Sequence, residues 1–124
     1  MDEQPLISVV DDDQSFRDSL GRLFRSLGYA VALFPSAKAF LASSALSTTA
    51  CLVADIHMPG VTGDQLYRYL AGTGRDIPTI LVTAYPDDAL RQRMLDEGVR
   101  CYLHKPLEEA HLVRCLRSIT ASIG

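Results

Sequence analysis

The chain has 124 residues, which is enough for one domain with a sizeable hydrophobic core. Hydrophobic residues at 48% and charged residues at 22% are ordinary values for a folded domain, so they exclude a disordered, collagen-like or coiled-coil chain. The formal net charge of −3 argues against direct binding of nucleic acid or of an anionic membrane, because both depend on clustered Lys and Arg.

The sequence pattern predicts neither an export signal nor a cysteine scaffold. No apolar run approaches the ~20 residues that a membrane helix requires, and the acidic start MDEQP is unlike a signal peptide, so we expect a cytoplasmic protein without membrane contact. The three cysteines are an odd number without C-x-x-C spacing, and each stands in an apolar stretch. This predicts buried free thiols at Cys51, Cys101 and Cys115 rather than a disulfide or zinc site.

Five short runs rich in Val, Ile and Leu alternate with longer segments along the chain. Each run is apolar nearly throughout, which is typical of strands buried on both faces in a parallel sheet that helices cover on each side. In chain order the runs are 6–10, 30–34, 50–54, 79–82 and 100–103.

The longer segments have apolar residues at helical spacing and recognisable ends. The first ends at Gly28, and the second begins at the N-cap Ser36 and gives way to a loop at 43–49. The fourth has Pro86 at its opening position, followed by two acids in the favourable first turn. Five strands alternating with five helices predict a (βα)5 doubly wound α/β fold, with one domain spanning residues 1–124.

Polar side chains follow four of the five predicted strands. Functional residues of open α/β sheets gather at the carboxyl ends of the strands, so these groups are expected to meet at one edge. They are Asp11, Asp12 and Asp13 after the first strand, Asp55 in ADIHMPG after the third, Thr83 in LVTAYP after the fourth and Lys105 in YLHKP after the fifth.

These groups together indicate a phosphoryl-transfer pocket. Carboxylates within about 5 Å repel by roughly 3 kcal/mol per pair at an effective dielectric near 20, so the acids need a cation, and all-oxygen ligands suit Mg²⁺. Asp55 would attack a phosphoryl group, and Thr83 and Lys105 would each take one of its oxygens. Taken singly, each residue has a plain structural explanation as a turn former, a strand-end hydroxyl or a solvated charge. The combination favours chemistry, because four strand ends would otherwise have to supply complementary groups by chance.

The motifs VVDDD, ADIHMPGVTG, LVTAY and LHKP, in this order and spacing, resemble the receiver domain of bacterial two-component response regulators over essentially the whole chain. The stretches SAKAFL and IPTILVTAY are most similar to the FixJ-like class, whose receivers usually precede a helix-turn-helix output domain. The resemblance implies a flavodoxin-like sheet with strand order 2-1-3-4-5. It also implies a signalling domain, not an enzyme beyond assisting its own phosphorylation and dephosphorylation, that takes a phosphoryl group from a sensor histidine kinase.

By the same resemblance, Asp55 is the phospho-acceptor, and Asp11 and Asp12 are the acidic pair that arranges Mg²⁺, which Mn²⁺ can replace. The backbone carbonyl of His57 completes the metal site. Asp13 stays open between a metal role and an N-cap of the first helix.

The resemblance further implies a switch. Thr83 and Lys105 contact the phosphate, the Lys105 to Pro106 bond is a cis-peptide, and Tyr102 turns inward as Thr83 moves. The surface of the fourth helix, fifth strand and fifth helix would then form a homodimer or output contact. An aromatic residue on a strand is more often core than switch, however, and a charged surface is more often only solvated.

Other assignments stay open at this point. His57 and Tyr85 occupy positions that influence how fast receivers lose the phosphoryl group, so we expect both to affect its lifetime, whereas His104 and His111 are expected at the surface. The rival functions are a stand-alone receiver that acts by protein–protein contact, an aspartyl-phosphate hydrolase, and a flavodoxin-like ligand binder. The acidic loop after the first strand would repel a flavin phosphate.

Overall fold

A computed structural model describes residues 4–121 of the chain. Its strands are β1 (Leu6–Val10), β2 (Ala30–Phe34), β3 (Thr49–Asp55), β4 (Thr79–Thr83) and β5 (Cys101–His104). Its helices are α1 (Gln14–Ser26), α2 (Ala37–Leu41), α3 (Gly63–Gly72), α4 (Asp88–Glu97) and α5 (Glu109–Ala121). The alternation of strands and helices predicted from the apolar runs is confirmed within this range.

The strands form one parallel sheet in the order β2-β1-β3-β4-β5, which confirms the predicted doubly wound α/β fold. The register pairs Val10 with Ala54 and Asp55 with Val82. The carboxyl ends of β1, β3 and β4 therefore lie side by side. Residues that follow these strands meet at one edge of the sheet.

Two apolar layers cover the two faces of the sheet. Alternate strand residues such as Val9 and Val10 enter different layers, which is why the strands read as continuous apolar runs. The layer with α1 and α5 includes Val9, Val53, Phe24, Leu112 and Leu116. The layer with α2, α3 and α4 includes Val10, Ala54, Phe40, Leu66 and Met94. Within residues 4–121, no helix combines the length and hydropathy needed to cross a bilayer.

Several sequence expectations need correction at the level of single residues. Pro86 does not open the fourth helix: α4 begins at Asp88, and the carboxylate of Asp87 caps it by accepting the Leu90 N–H at 3.1 Å. An Asp side chain can satisfy an otherwise free helical N–H, so it takes the cap position that Pro cannot fill. The loop expected at 43–49 contains a short 3₁₀ turn, Ser44–Ser47.

The cysteines differ in burial. All three are free, as expected, and Cys51 and Cys115 are buried. Cys101 is only half-buried, because it begins the edge strand β5. Burial raises the pKa of Cys51 to about 12, so this thiol is kept protonated and unreactive.

The carboxyl end of α4 is fastened to α3. The Tyr67 hydroxyl donates to the backbone carbonyl of Glu97 at 3.0 Å, and Arg68 donates to both oxygens of the Glu97 carboxylate at 3.0 and 3.1 Å. Gly98 ends the helix with a φ of +117°, a conformation that other residues adopt only at a cost.

Replacing Gly98 with Ala is expected to lower the free energy of unfolding by about 1–2 kcal/mol. The new Cβ would be strained at this φ and would lie 2.6 Å from the Tyr67 hydroxyl oxygen. Gly72→Ala is the matched control, since a Cβ there meets open space at the end of α3, and it is expected to be neutral or stabilising. Urea unfolding followed by far-UV circular dichroism measures both variants. Equal stability changes in the two would contradict this account.

Candidate functional site

One ammonium joins two buried carboxylates at the carboxyl edge of the sheet. Lys105 Nζ donates to Asp11 Oδ2 at 2.9 Å and to Asp55 Oδ2 at 3.1 Å. The side chains of Asp11 and Asp55 are 1% and 8% exposed, and that of Lys105 is 17% exposed. Lys105 follows the edge strand β5, so it reaches across the end of β4 to the ends of β3 and β1.

The two carboxylates are held in the same way. Asp11 Oδ1 accepts the N–H of Asp13 at 2.9 Å, and Asp55 Oδ1 accepts the N–H of His57 at 3.1 Å. In each case the backbone amide two residues further along the chain binds one oxygen, and Lys105 binds the other. The carboxylates are therefore fixed in orientation before any ligand arrives.

Asp12 adds a third carboxylate at the exposed rim of this pair. Asp11, Asp12 and Asp55 each offer an oxygen atom within 4.8 Å of the others. Such a set of oxygen donors, partly buried and partly open to water, fits Mg²⁺, which prefers carboxylates and keeps several waters. We refer to Asp11, Asp12 and Asp55 as the acidic cluster.

The electrostatics of the cluster show an excess of negative charge. Burial raises the pKa of Asp11, and the hydrogen bonds from the Asp13 amide and Lys105 offset this only in part. For Lys105, burial lowers the pKa, but the hydrogen bonds to Asp11 and Asp55 outweigh it and the pKa is raised overall. One ammonium is thus shared by several carboxylates, so negative charge remains that a further cation would neutralise.

The hydroxyl of Thr83 is buried next to this cluster but is turned to its own loop. Thr83 Oγ1 accepts the Tyr85 N–H at 3.0 Å and lies 3.2 Å from the Tyr85 carbonyl oxygen, to which it donates. The ring of Tyr85 contacts the ring of His57 edge-to-face, with centroids 5.1 Å apart. The structure therefore brings Thr83, Tyr85 and His57 together, and the His57 amide connects them to Asp55.

Tyr102 lies on β5 with its ring packed against the apolar layer of α2, α3 and α4. Its hydroxyl oxygen is buried without a hydrogen-bond partner, alone in this respect among buried side-chain atoms of residues 4–121. Burial raises the pKa of Tyr102, and the nearby Asp87 backbone offsets this only in part. Packing of the ring, together with the nearby Asp87 backbone, therefore holds this side chain.

The remaining assigned positions are readily located. The peptide bond between Lys105 and Pro106 is cis. Asp13 caps α1 by accepting the Phe16 N–H at 3.2 Å, which agrees with its interpretation as an N-cap. His104 and His111 are exposed, as expected.

Three residues at the site were not singled out from the sequence. The ring of Phe16 lies under Lys105 Nζ, 4.0 Å from it at the centroid, and Arg17 Nη1 donates to the backbone carbonyl of Asp11 at 2.7 Å. A Cβ on Gly63 would overlap the backbone carbonyl of Asp55, so only glycine lets α3 begin this close to the cluster. Phe16 shares the apolar face of α1 with Leu20 and Phe24, and helical spacing alone cannot distinguish a core residue from one that contacts Lys105.

Comparisons with known proteins agree with the fold. The family model of the response regulator receiver domain matches residues 7–117. The transcriptional regulatory protein FixJ of Azorhizobium caulinodans is 34% identical over 124 residues, which cover all of this chain and 57% of that protein. Nodulation protein W of Bradyrhizobium diazoefficiens is 36% identical over 115 residues, 93% of this chain and 51% of that protein.

A solved structure, that of FixJ-N, has a TM-score of 0.84 to this chain at 28% identity. The match covers 98% of this chain and 96% of that one. The chain spans about half the length of the curated relatives that it matches.

Asp11→Asn is expected to raise the free energy of unfolding at pH 7, without added divalent cation, by about 1 kcal/mol. The raised pKa of Asp11 means that its charged form costs stability in the folded state. This cost is present above the folded pKa and disappears below the ordinary value of 3.8, where the carboxyl is protonated in both states. The gain should therefore shrink as the pH falls towards that value.

Chemical denaturation at neutral and acidic pH measures this effect. Asp18→Asn, on α1 outside the acidic cluster, is the matched control and is expected to change stability little at either pH. A loss of stability in Asp11→Asn at pH 7 would contradict the proposed excess of negative charge.

Proposed function

Because the chain belongs to the response regulator receiver domain family, we propose that Asp55 accepts a phosphoryl group from a sensor histidine kinase. The domain comprises residues 1–124 and acts as a signalling domain rather than as an enzyme with a separate substrate. The observation that carries the proposal is the placement of Asp55: its carboxylate is held between a backbone amide and an ammonium, beside two further carboxylates.

The contacts of Asp55 suit a nucleophile. Its Oδ1 is fixed by the His57 amide, which leaves Oδ2, now bound to Lys105, to form the bond to phosphorus as the phosphorus–nitrogen bond of the phosphohistidine breaks. The imidazole keeps the electron pair of that bond. Lys105 then passes from the carboxylate to an oxygen of the transferred group, where its charge is needed most.

Mg²⁺, or Mn²⁺ in its place, would be held by the acidic cluster and the backbone carbonyl of His57. Bound there, the metal supplies positive charge that lets two anions, Asp55 and the phosphoryl group, approach each other. Asp11 and Asp12 would hold it from the end of β1. Lys105 keeps Asp11 and Asp55 together until then.

The contacts of Thr83 support a switch. To donate to a phosphoryl oxygen, the Thr83 hydroxyl must leave the Tyr85 carbonyl, so phosphorylation and the conformation of the turn after β4 are coupled. Tyr102, whose hydroxyl lies near the Asp87 backbone in the segment after β4, would move with that turn. We propose that the surface of α4, β5 and α5 responds as a homodimer or output contact, and that a DNA-binding output domain lies outside this chain.

The first test is covalent modification. With acetyl phosphate and Mg²⁺, the intact mass of the wild type is expected to increase by one phosphoryl group in an acid-stable adduct, and Asp55→Asn is expected to show none. Omitting Mg²⁺ should abolish the adduct in the wild type as well. Asp18→Asn, which leaves the cluster intact, is the control that should still be modified. A wild type that takes up no phosphoryl group under any condition would refute the proposed function.

The lifetime of the adduct is expected to depend on His57 and Tyr85 as a pair. Their rings contact each other beside Asp55, whose Oδ1 accepts the His57 amide, so His57→Ala and Tyr85→Ala should each speed loss of the phosphoryl group, by about twofold to tenfold. Because the rings contact each other, the increase in the rate of phosphoryl loss in the double variant should be smaller than the product of the two single increases. The adduct is followed over time by intact mass.

Tyr69→Ala is the control for this series, because Tyr69 is an exposed tyrosine on α3. It is expected to leave the lifetime unchanged. Effects of His57 and Tyr85 that multiply independently, or no effect of either, would show that the ring pair does not cover the acceptor.

A further inference from the structure

Two carboxylates and one aromatic ring surround the ammonium of Lys105. Asp11 and Asp55 accept hydrogen bonds from it, and the face of the Phe16 ring covers a third side, 4.0 Å from Nζ to the ring centroid. This distance is well inside the range of a cation–π contact, and the contact is stronger where the ammonium is shielded from water. Lys105 is shielded in this way, with 17% of its side chain exposed.

The position of the Phe16 ring is fixed by the loop that carries the acidic cluster. The Phe16 N–H is the one that the N-cap Asp13 accepts, at 3.2 Å. The next residue, Arg17, donates to the backbone carbonyl of Asp11 at 2.7 Å. The first turn of α1 is therefore held at two successive residues, by the N-cap at Phe16 and by the contact with the Asp11 carbonyl at Arg17.

Phe16 and Lys105 both border an apolar groove of about 290 Å³ between α1 and the segment that leads into α5. Other side chains along it are Leu20, Leu23, Leu107 and Leu112. Without an aromatic face at position 16, the ammonium would stand beside this open groove. No aromatic ring at position 16 would then hold the ammonium over the carboxylates.

We propose that Phe16 is a positioning residue for phosphoryl transfer, whose ring holds the Lys105 ammonium over the Asp55 carboxylate. The inference rests on the proposed role of Asp55 as acceptor. A hydrogen bond is directional and must break when Lys105 exchanges a carboxylate oxygen for a phosphoryl oxygen. Attraction to a ring face is less directional, so Phe16 retains the ammonium during that exchange.

A purely structural role for Phe16 would give a different outcome. Phe16 is half-buried and belongs to the same apolar face of α1 as Leu20 and Phe24. If it served only to pack the core, its replacement would change stability and leave Lys105 in place. Phe24 provides the matched control, since it is the same residue type on the same face of α1, two turns further on and away from Lys105.

The test compares Phe16→Leu, Phe16→Tyr and Phe24→Leu with the wild type by NMR, without phosphorylation. A ring face this close to the ammonium shifts the resonances of the Lys105 methylene group next to it upfield. The shift is expected in the wild type, in Phe16→Tyr and in Phe24→Leu, and is expected to be lost in Phe16→Leu. Retention of the shift in Phe16→Leu would overturn the proposal.

The same four proteins are then compared in their rate of phosphorylation by acetyl phosphate with Mg²⁺. Phe16→Leu is expected to react about threefold to tenfold more slowly, and Phe16→Tyr within about twofold of the wild type. Phe24→Leu should lower the urea midpoint without changing the rate. A rate for Phe16→Leu equal to that of the wild type would overturn the proposal. If the wild type takes up no phosphoryl group, the proposed function fails, and the Lys105 resonances alone decide whether Phe16 holds the ammonium.

Discussion

Two carboxylates buried at the ends of adjacent parallel strands cannot stay charged unless a cation neutralises them. In this protein the cation is the ammonium of Lys105, which contacts Asp11 and Asp55 at 2.9 and 3.1 Å. Removing the ammonium would leave two buried carboxylates without compensating charge, which is strongly destabilising. Lys105 thus links the carboxyl ends of β1, β3 and β5 at one edge of the sheet.

The same contact prepares the site for chemistry. In the proposed reaction, the ammonium already holds Asp55, so no large rearrangement would be needed when negative charge increases there, because electrostatic groups placed in advance lower the cost of reaction. The supports are backbone groups and α1 side chains: the amides of Asp13 and His57, the Arg17 guanidinium and the Phe16 ring. Gly63 completes them by letting α3 begin against the Asp55 carbonyl.

The strands and the side chains at their ends were predictable from the sequence. The apolar runs locate the strands, and parallel topology brings their carboxyl ends to one edge of the sheet. Asp11, Asp55 and Lys105 could be assigned to one pocket for this reason. The supports of the pocket could not. Phe16 and Arg17 occupy ordinary helical positions, and only the three-dimensional structure shows that one covers an ammonium and the other a carbonyl.

Turn geometry was predictable to a lesser degree. Pro86 was expected to open α4, but Asp87 occupies the N-cap position instead, because its carboxylate can accept a backbone N–H. The hydrogen bonds between Thr83 and Tyr85 also depend on the turn after β4, which periodicity does not describe. These are the places where side-chain hydrogen bonds, rather than burial of apolar surface, decide the local structure.

The central claim is that the Lys105 ammonium moves from Asp55 to the group that Asp55 acquires. A crystal structure with Mg²⁺ and beryllium fluoride, a mimic of the phosphoryl group, tests it directly. The account predicts beryllium fluoride on Asp55 and Lys105 Nζ bound to a fluoride. It also predicts the metal between the carboxylates of Asp11, Asp12 and Asp55. An unmodified Asp55 still bound to Lys105, or a metal bound elsewhere, would contradict it.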